Sequence, residues 1–278
     1  MSTGTEASNG RIASRRTLAA RWQSFAVRYI GWFVVGLLLI VWQVLAGTVP
    51  GLAQVLPPVD RIVARAAEVF AQQGSLLAEL GETLAVMAVG YLIGSVAGIV
   101  VGTLIGRSRI AYYLFEPLIE LTRPIPIAAV VPLLMLFLGL GAGLKIGAVT
   151  IAAFFPVLAN TYAAFRSTPR TLDETARTFG LSPLQSLLKV ALPHAVPAIL
   201  VGMRLSLAIS LVVTVFTEMI AGNSGVGYFI LNSQQNMSIV DLYVGVLALA
   251  IVGYLLNQAF VFVERRIIPW HISNRRED

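Results

Sequence analysis

The chain has 278 residues, 57% of them hydrophobic and 12% charged, with a mean hydropathy of +0.80; a soluble domain carries about 25% charged residues, so this is an integral membrane protein. Its net charge of +6 does not point to nucleic acid, because the basic residues sit in short clusters between apolar runs, where they set membrane orientation. The absence of cysteine excludes disulfide and thiol chemistry, and with His194 and His271 the only histidines, no histidine-rich metal site is expected.

In chain order, residues 1–28 form a polar tail rich in Ser, Thr and Arg, expected to be partly disordered and cytoplasmic. The apolar run after it is long enough to span a bilayer and lacks a small-x-small cleavage site, so it reads as an uncleaved first helix. Pro50, Pro57 and Pro58 then precede an amphipathic pattern through Ile62, Ala66, Val69 and Phe70, which predicts a short interfacial helix on the outer face. A span needs roughly 20 apolar residues, and six such windows predict helices at about 29–47, 83–105, 120–140, 146–165, 197–220 and 240–262. Charge-free windows run over 29–59, 83–106, 124–144, 146–165 and 242–263, and a further one, 190–217, contains a single charge, Arg204. The membrane-spanning domain is thus 29–265, with a loop at 166–196 and a second cytoplasmic tail at 266–278.

Lys and Arg near the span ends set the orientation. With the N terminus inside, the cytoplasmic side holds 15 basic residues, among them Arg107, Arg109, Arg166, Arg170 and Arg177, against Arg61, Arg65 and Lys145 outside. Both termini and the 166–196 loop are therefore expected in the cytoplasm.

That loop is polar yet coded for helix. Thr171 followed by Glu174 has the spacing of a capping box, and Gly180 is placed to end the helix in a left-handed conformation. Ser182, Pro183 and Gln185 provide an N-cap, a first-turn proline and a second capping box. Leu184, Leu187 and Leu188 make an apolar face, and Pro193 and Pro197 are expected to limit continuation into the next span. The result is helix, turn, helix, a surface shaped for a partner. The plainer alternative is a well-formed loop in which Glu174 and Gly180 merely cap and stop a helix.

The spacing decides for the partner. Glu174-Thr175-Ala176, three residues, Gly180, nine residues, Val190-Ala191-Leu192-Pro193 resembles the cytoplasmic Glu-Ala-Ala signature of binding-protein-dependent ABC importer permeases, with Thr175 for Ala and Val190 for Ile. Leu56-Pro57-Pro58, Glu116-Pro117-Leu118-Ile119-Glu120, Arg123-Pro124-Ile125-Pro126, Phe137-Leu138-Gly139-Leu140-Gly141 and Phe154-Phe155-Pro156 are similar to the nitrate/sulfonate/taurine branch of that family. The resemblance covers residues 30–265 and implies an all-α polytopic fold of the type I importer permease: six transmembrane helices in a homodimer of the bacterial inner membrane. It also implies two separate ATP-binding cassette ATPase subunits, an external solute-binding protein and a small anionic solute. By the same resemblance the loop forms coupling helices, with Glu174, Ala176, Gly180, Leu192 and Pro193 as coupling residues.

Charges inside the bilayer are expensive, at roughly 2.5–3.5 kcal/mol near a helix centre, so each is a candidate for the solute pathway. Arg204 lies a third of the way into the fifth span, Glu218 near its outer end, and Arg123 at the inner end of the third. Snorkelling is the simpler account of Arg123 and an equal alternative for Arg204. Ser206, Ser210 and Thr214 share one face of the fifth span, where they either line a polar passage or, the simpler reading, pack against a neighbour. Glycines 90, 94, 98, 102 and 106 form a stripe that reads as close helix packing. Pro124, Pro126, Pro132 and Pro156 are gate bends or structural kinks, and the glycines from Gly222 to Gly227 serve a binding protein or a return turn.

No phosphate-binding Gly-Lys-Ser/Thr loop is present, and no Gly-x-Ser-x-Gly, zinc-protease or intramembrane paired-carboxylate motif. The chain is expected to be a transport subunit with no catalytic residue and no cofactor, with ATP hydrolysis supplied by its partner. The rival is a self-sufficient secondary transporter or channel, which would favour ionisable residues in several spans.

Overall fold

A computed structural model describes residues 30–71, 75–122 and 124–269, and every regular element among them is helical. The expected tails at 1–28 and, beyond residue 269, at the C terminus lie outside the described residues, as does Arg123. The chain divides into two compact units, residues 1–65 and 66–278.

In the first unit, α1 (Ile30–Thr48) is apolar on all sides and mostly uncovered, as a lipid-facing span should be. The chain then returns along it through a short 3₁₀ turn, Leu52–Gln54. Trp42 Nε1 donates to the Pro57 carbonyl at 3.0 Å and Gln43 Nε2 to Asp60 Oδ1 at 2.9 Å. That amide contact holds the Asp60 carboxyl below the usual carboxylate range. The expected amphipathic helix is α2 (Val59–Ala71), whose residues 59–65 end the first unit and 66–71 begin the second, with Ile62 and Val69 buried but Phe70 exposed.

In the second unit, α3 (Ser75–Arg107) and α6 (Ala142–Arg166) pack along their lengths, and α9 (Leu192–Ala221) lies against both. The glycine stripe explains the closeness. A Cβ on Gly90 would sit 2.7 Å from Val149 Cβ, on Gly102 2.7 Å from Thr161 Cβ and on Gly106 2.7 Å from Phe165 Cβ. Small residues let two backbones approach, which is the main source of helix association in lipid. Met87, Tyr91, Val131, Ala148, Val149, Ala152, Ala153 and Val213 form the core at this crossing.

Several boundaries move. The expected helix at 120–140 is two helices, α4 (Arg109–Thr122) and α5 (Ile127–Leu138), turned by 99°. Pro124 and Pro126 lie in the break; neither has an N–H to donate, and each biases its predecessor away from helix. Among the described residues, five helices are long and apolar enough to cross a membrane, or six if this bent pair is one span. The helix α3 begins before the expected 83, and its first turns carry Glu79 and Glu82, whose carboxylates accept from Gly225 N–H and Lys145 Nζ. The segment after Ala221 contains a further helix, α10 (Val226–Gln235), before the last, α11 (Ile239–Ile267).

The prolines at 193 and 197 do not stop the chain. From α8 (Pro183–Ser186) the helix runs on through a π-helical turn at Leu187–Ala191 and then through Pro193 and Pro197 in α9. Pro193 is the second residue of α9 and Pro197 lies inside it, so each removes one backbone donor from a continuing helix. The wider π turn just before it absorbs the change of register.

Candidate functional site

Two features of the second unit are arranged for function. The first is the segment that joins α6 to α9. The helix α7 (Arg170–Thr178) starts at Pro169, not at Thr171, and no side chain caps it. The expected Thr171–Glu174 capping box is absent, because Pro169 in extended conformation already turns the chain and leaves Thr171 inside the first turn. The end of α7 is as expected. Gly180 has φ +66, its N–H bonds to Arg177 O at 2.9 Å, and Leu181 N–H reaches Ala176 O at 3.0 Å. This pair of bonds is the Schellman motif. Ser182 and Gln185 then form a full capping box, with Pro183 in the first turn of α8.

The loop is thereby fixed in shape, and its placement of side chains is uneven. Ala176 is buried, Leu192 half-buried, and Glu174, Gly180 and Pro193 are exposed. Leu187 packs with Ala164, Phe165, Ala191 and Ala195, tying the loop to α6 and α9. Phe179, Leu184 and Leu188 face outward, at 77%, 64% and 53% exposure. Phe179 was not singled out in the sequence; its position beside the left-handed glycine was the available signal.

The second feature is a cavity of about 480 Å³ between the α4–α5 break, α6 and α9. Its wall is largely apolar: Ile125, Ile127, Val130, Ile151, Phe155, Leu205 and Ile209, with Thr122 and Asn160 as polar side chains. Asn160 Nδ2 donates to Pro156 O at 2.8 Å, leaving its own carbonyl oxygen free to accept. Pro156 has no N–H, so Ala152 O, four residues before it and also on this wall, lacks its helical partner. The cavity thus offers an apolar surface with a few acceptors.

The polar candidates of α9 lie elsewhere. Ser206, Ser210 and Thr214 are buried on a different face from Leu205 and Ile209. Ser206 Oγ donates to Met203 O at 2.9 Å and Thr214 Oγ1 to Ser210 O at 2.7 Å, while Ser210 Oγ has no partner among the described residues. Arg204 is exposed on the protomer surface, and its Nε donates to Asn257 Oδ1 on α11 at 3.0 Å.

Glu218 has no exposed surface. Its carboxylate accepts from Thr83 Oγ1 at 3.0 Å and from Gly227 N–H at 3.0 Å, and lies 4.0 Å from Lys145 Nζ. Lys145, read from the sequence as a loop charge, is only 2% exposed; it opens α6 from inside the protein and donates to Glu82 Oε1 at 3.1 Å and Ser224 O at 3.0 Å. Glu79 accepts from Gly225 N–H and Val226 N–H donates to Thr83 Oγ1. This cluster ties the glycine-rich 222–227 turn to α3 and α6. Gly225 is essential to the fit: at φ +98, any Cβ there would overlap the Glu218 carboxylate.

A helical membrane unit with a proline-broken cavity wall and a rigid helix–turn–helix at one end defines a multi-pass membrane protein, and the relatives it matches are transport subunits rather than enzymes. Residues 90–270 match the family model described as binding-protein-dependent transport system inner membrane component, and the chain belongs to that family of bacterial inner-membrane ABC importer permeases. It is similar to the putative aliphatic sulfonates transport permease SsuC of Bacillus subtilis (34% identity, covering 87% of this chain and 88% of the relative). It is also similar to the taurine transport system permease TauC of Escherichia coli (30% identity, 95% and 97%) and to the nitrate import permease NrtB of Leptolyngbya laminosa (30%, 69% and 68%). Among solved structures, the inward-facing MetNI methionine ABC transporter shares the fold, with a TM-score of 0.61 at 22% identity over 69% of this chain and 95% of that one.

Proposed function

We infer that this chain is the permease of an importer for a small anionic solute of the sulfonate/taurine/nitrate class, working as a homodimer with two ATPase subunits and an external binding protein. Both termini and the 166–196 loop lie in the cytoplasm. The observation that carries the reading is the exposed apolar triad Phe179, Leu184 and Leu188 on a loop held rigid by the Gly180 Schellman motif and the Ser182–Gln185 capping box. Three large apolar side chains exposed on one short polar loop are what a protein partner would cover, and a rigid short helix transmits the rigid-body movement of whatever holds it.

Glu174, Ala176, Gly180, Leu192 and Pro193 serve this coupling in different ways. Ala176 and Gly180 set the shape, Glu174 offers an exposed charge, and Leu192 and Pro193 begin the helix that carries movement to the cavity wall at Leu205 and Ile209. The cavity suits the apolar body of an organic sulfonate and its acceptors suit an ammonium group such as taurine carries, while Arg204, exposed on α9 outside this cavity, is a separate cation for the anionic end along the pathway. Replacing Glu174 or Gly180 with Lys should abolish uptake while leaving the chain in the membrane at normal level. Unchanged uptake in both variants would remove the coupling role.

A further inference from the structure

At the end of the second unit that carries the helix–turn–helix, five arginines converge on a single cavity of about 710 Å³. Arg107 and Arg109 flank the turn between α3 and α4, Arg166 closes α6, and Arg170 and Arg177 come from α7. Asp173 and Glu174 stand on the same wall, so five positive charges meet two negative ones, a net +3. Asp173 is engaged by Arg107 Nη1 at 3.2 Å. The Arg166 guanidinium lies 3.6 Å over the Tyr112 ring, which fixes it without neutralising it. Among the described residues, Arg109, Arg170 and Arg177 have no ion-pair partner.

Helix dipoles account for part of this arrangement. Arg107, Arg166 and Arg177 stand in last turns, where a cation is favoured. Arg109 and Arg170 are the first residues of α4 and α7, where the dipole opposes a cation. Membrane orientation asks for basic residues near span ends, but not for their convergence on one concave wall, and lysine would serve it equally well. All five are arginine, whose planar fork matches the oxygens of a phosphate group.

We propose that this cavity binds a phosphate group, carried either by an anionic phospholipid headgroup or by free phosphate. Bound there, the phosphate bridges the α3–α4 turn and the end of α6 to α7, and so clamps the loop to the membrane helices. The site goes beyond the transport reading, since binding can be measured on the permease without an ATPase or a solute.

The test uses the full-length chain purified in mild detergent. Native mass spectrometry follows retention of added phosphatidylglycerol against phosphatidylcholine, and equilibrium dialysis follows radiolabelled inorganic phosphate at constant ionic strength. The wild type should take up one of the two anionic probes in preference to phosphatidylcholine or chloride. Arg109→Gln combined with Arg170→Gln should weaken that binding by about tenfold per arginine, whereas Arg61→Gln, which does not line the cavity, should not change it. Glu174→Gln, which removes an exposed opposing charge, should tighten it severalfold, a gain that does not depend on the double variant folding. Selective uptake of phosphatidylglycerol identifies a lipid site, and selective uptake of inorganic phosphate identifies a soluble one. Binding of neither probe, or binding indifferent to the arginine pair and to Glu174→Gln, overturns the proposal.

Discussion

Lys145→Met probes the buried cluster that pins the 222–227 turn. The ammonium donates to Glu82 Oε1 and to the carbonyl of Ser224 and lies 4.0 Å from Glu218, which has no exposed surface. Removing it leaves two carboxylates facing each other with no cation between them. Breaking a buried pair from one side costs about 3–5 kcal/mol. Glu82 is 43% exposed and recovers part of its hydration, so the expected loss is at the lower end, about 3 kcal/mol. Adding Glu218→Gln to Lys145→Met removes the stranded charge while Thr83 and Gly227 can still donate to the amide oxygen, and should restore about 1–2 kcal/mol. Unfolding of the purified chain by sodium dodecyl sulfate in mixed micelles, followed by circular dichroism, reads both numbers. A single variant within about 0.5 kcal/mol of wild type, or a double variant whose loss is the sum of the two singles, would refute the reasoning.

Four further outcomes are expected. Gly94→Ala would drive a methyl group against Thr150 O and to 2.9 Å of Ala153 Cβ, costing about 1–3 kcal/mol in the same assay. Gly36→Ala meets nothing within 4 Å and should be neutral or slightly stabilising. At Gly180, Asn tolerates the left-handed conformation and should keep most uptake, whereas Val should lose it and open the loop to limited proteolysis. Arg204→Ala should lower uptake of an organic anion more than tenfold at equal membrane level, and unchanged uptake would remove Arg204 from the pathway.

The spans were legible because apolar length is a strong signal, and the Gly90–Gly106 stripe because close packing demands small residues at a fixed interval. What the sequence hid was long-range. Lys145 looked like a loop charge because its partner Glu82 is 63 positions away, and the Thr83–Glu218 bond joins residues 135 apart. The face of α9 that reaches the cavity carries Leu205 and Ile209, indistinguishable from lipid-facing residues until α6 is placed beside it. Local rules failed where two signals competed: Pro169 displaced Thr171 as the start of α7, and the π turn carried the helix through Pro193. The second half of the loop was legible because Gly180, Ser182, Pro183 and Gln185 agree with one another.

The coupling of the 170–186 loop to a separate ATPase is tested most directly by purifying the tagged chain from its native membrane and weighing what accompanies it by mass spectrometry. The account predicts one nucleotide-binding ATPase per permease chain, lost when Phe179, Leu184 and Leu188 are replaced by Ser. A preparation that still transports without any ATPase would contradict it.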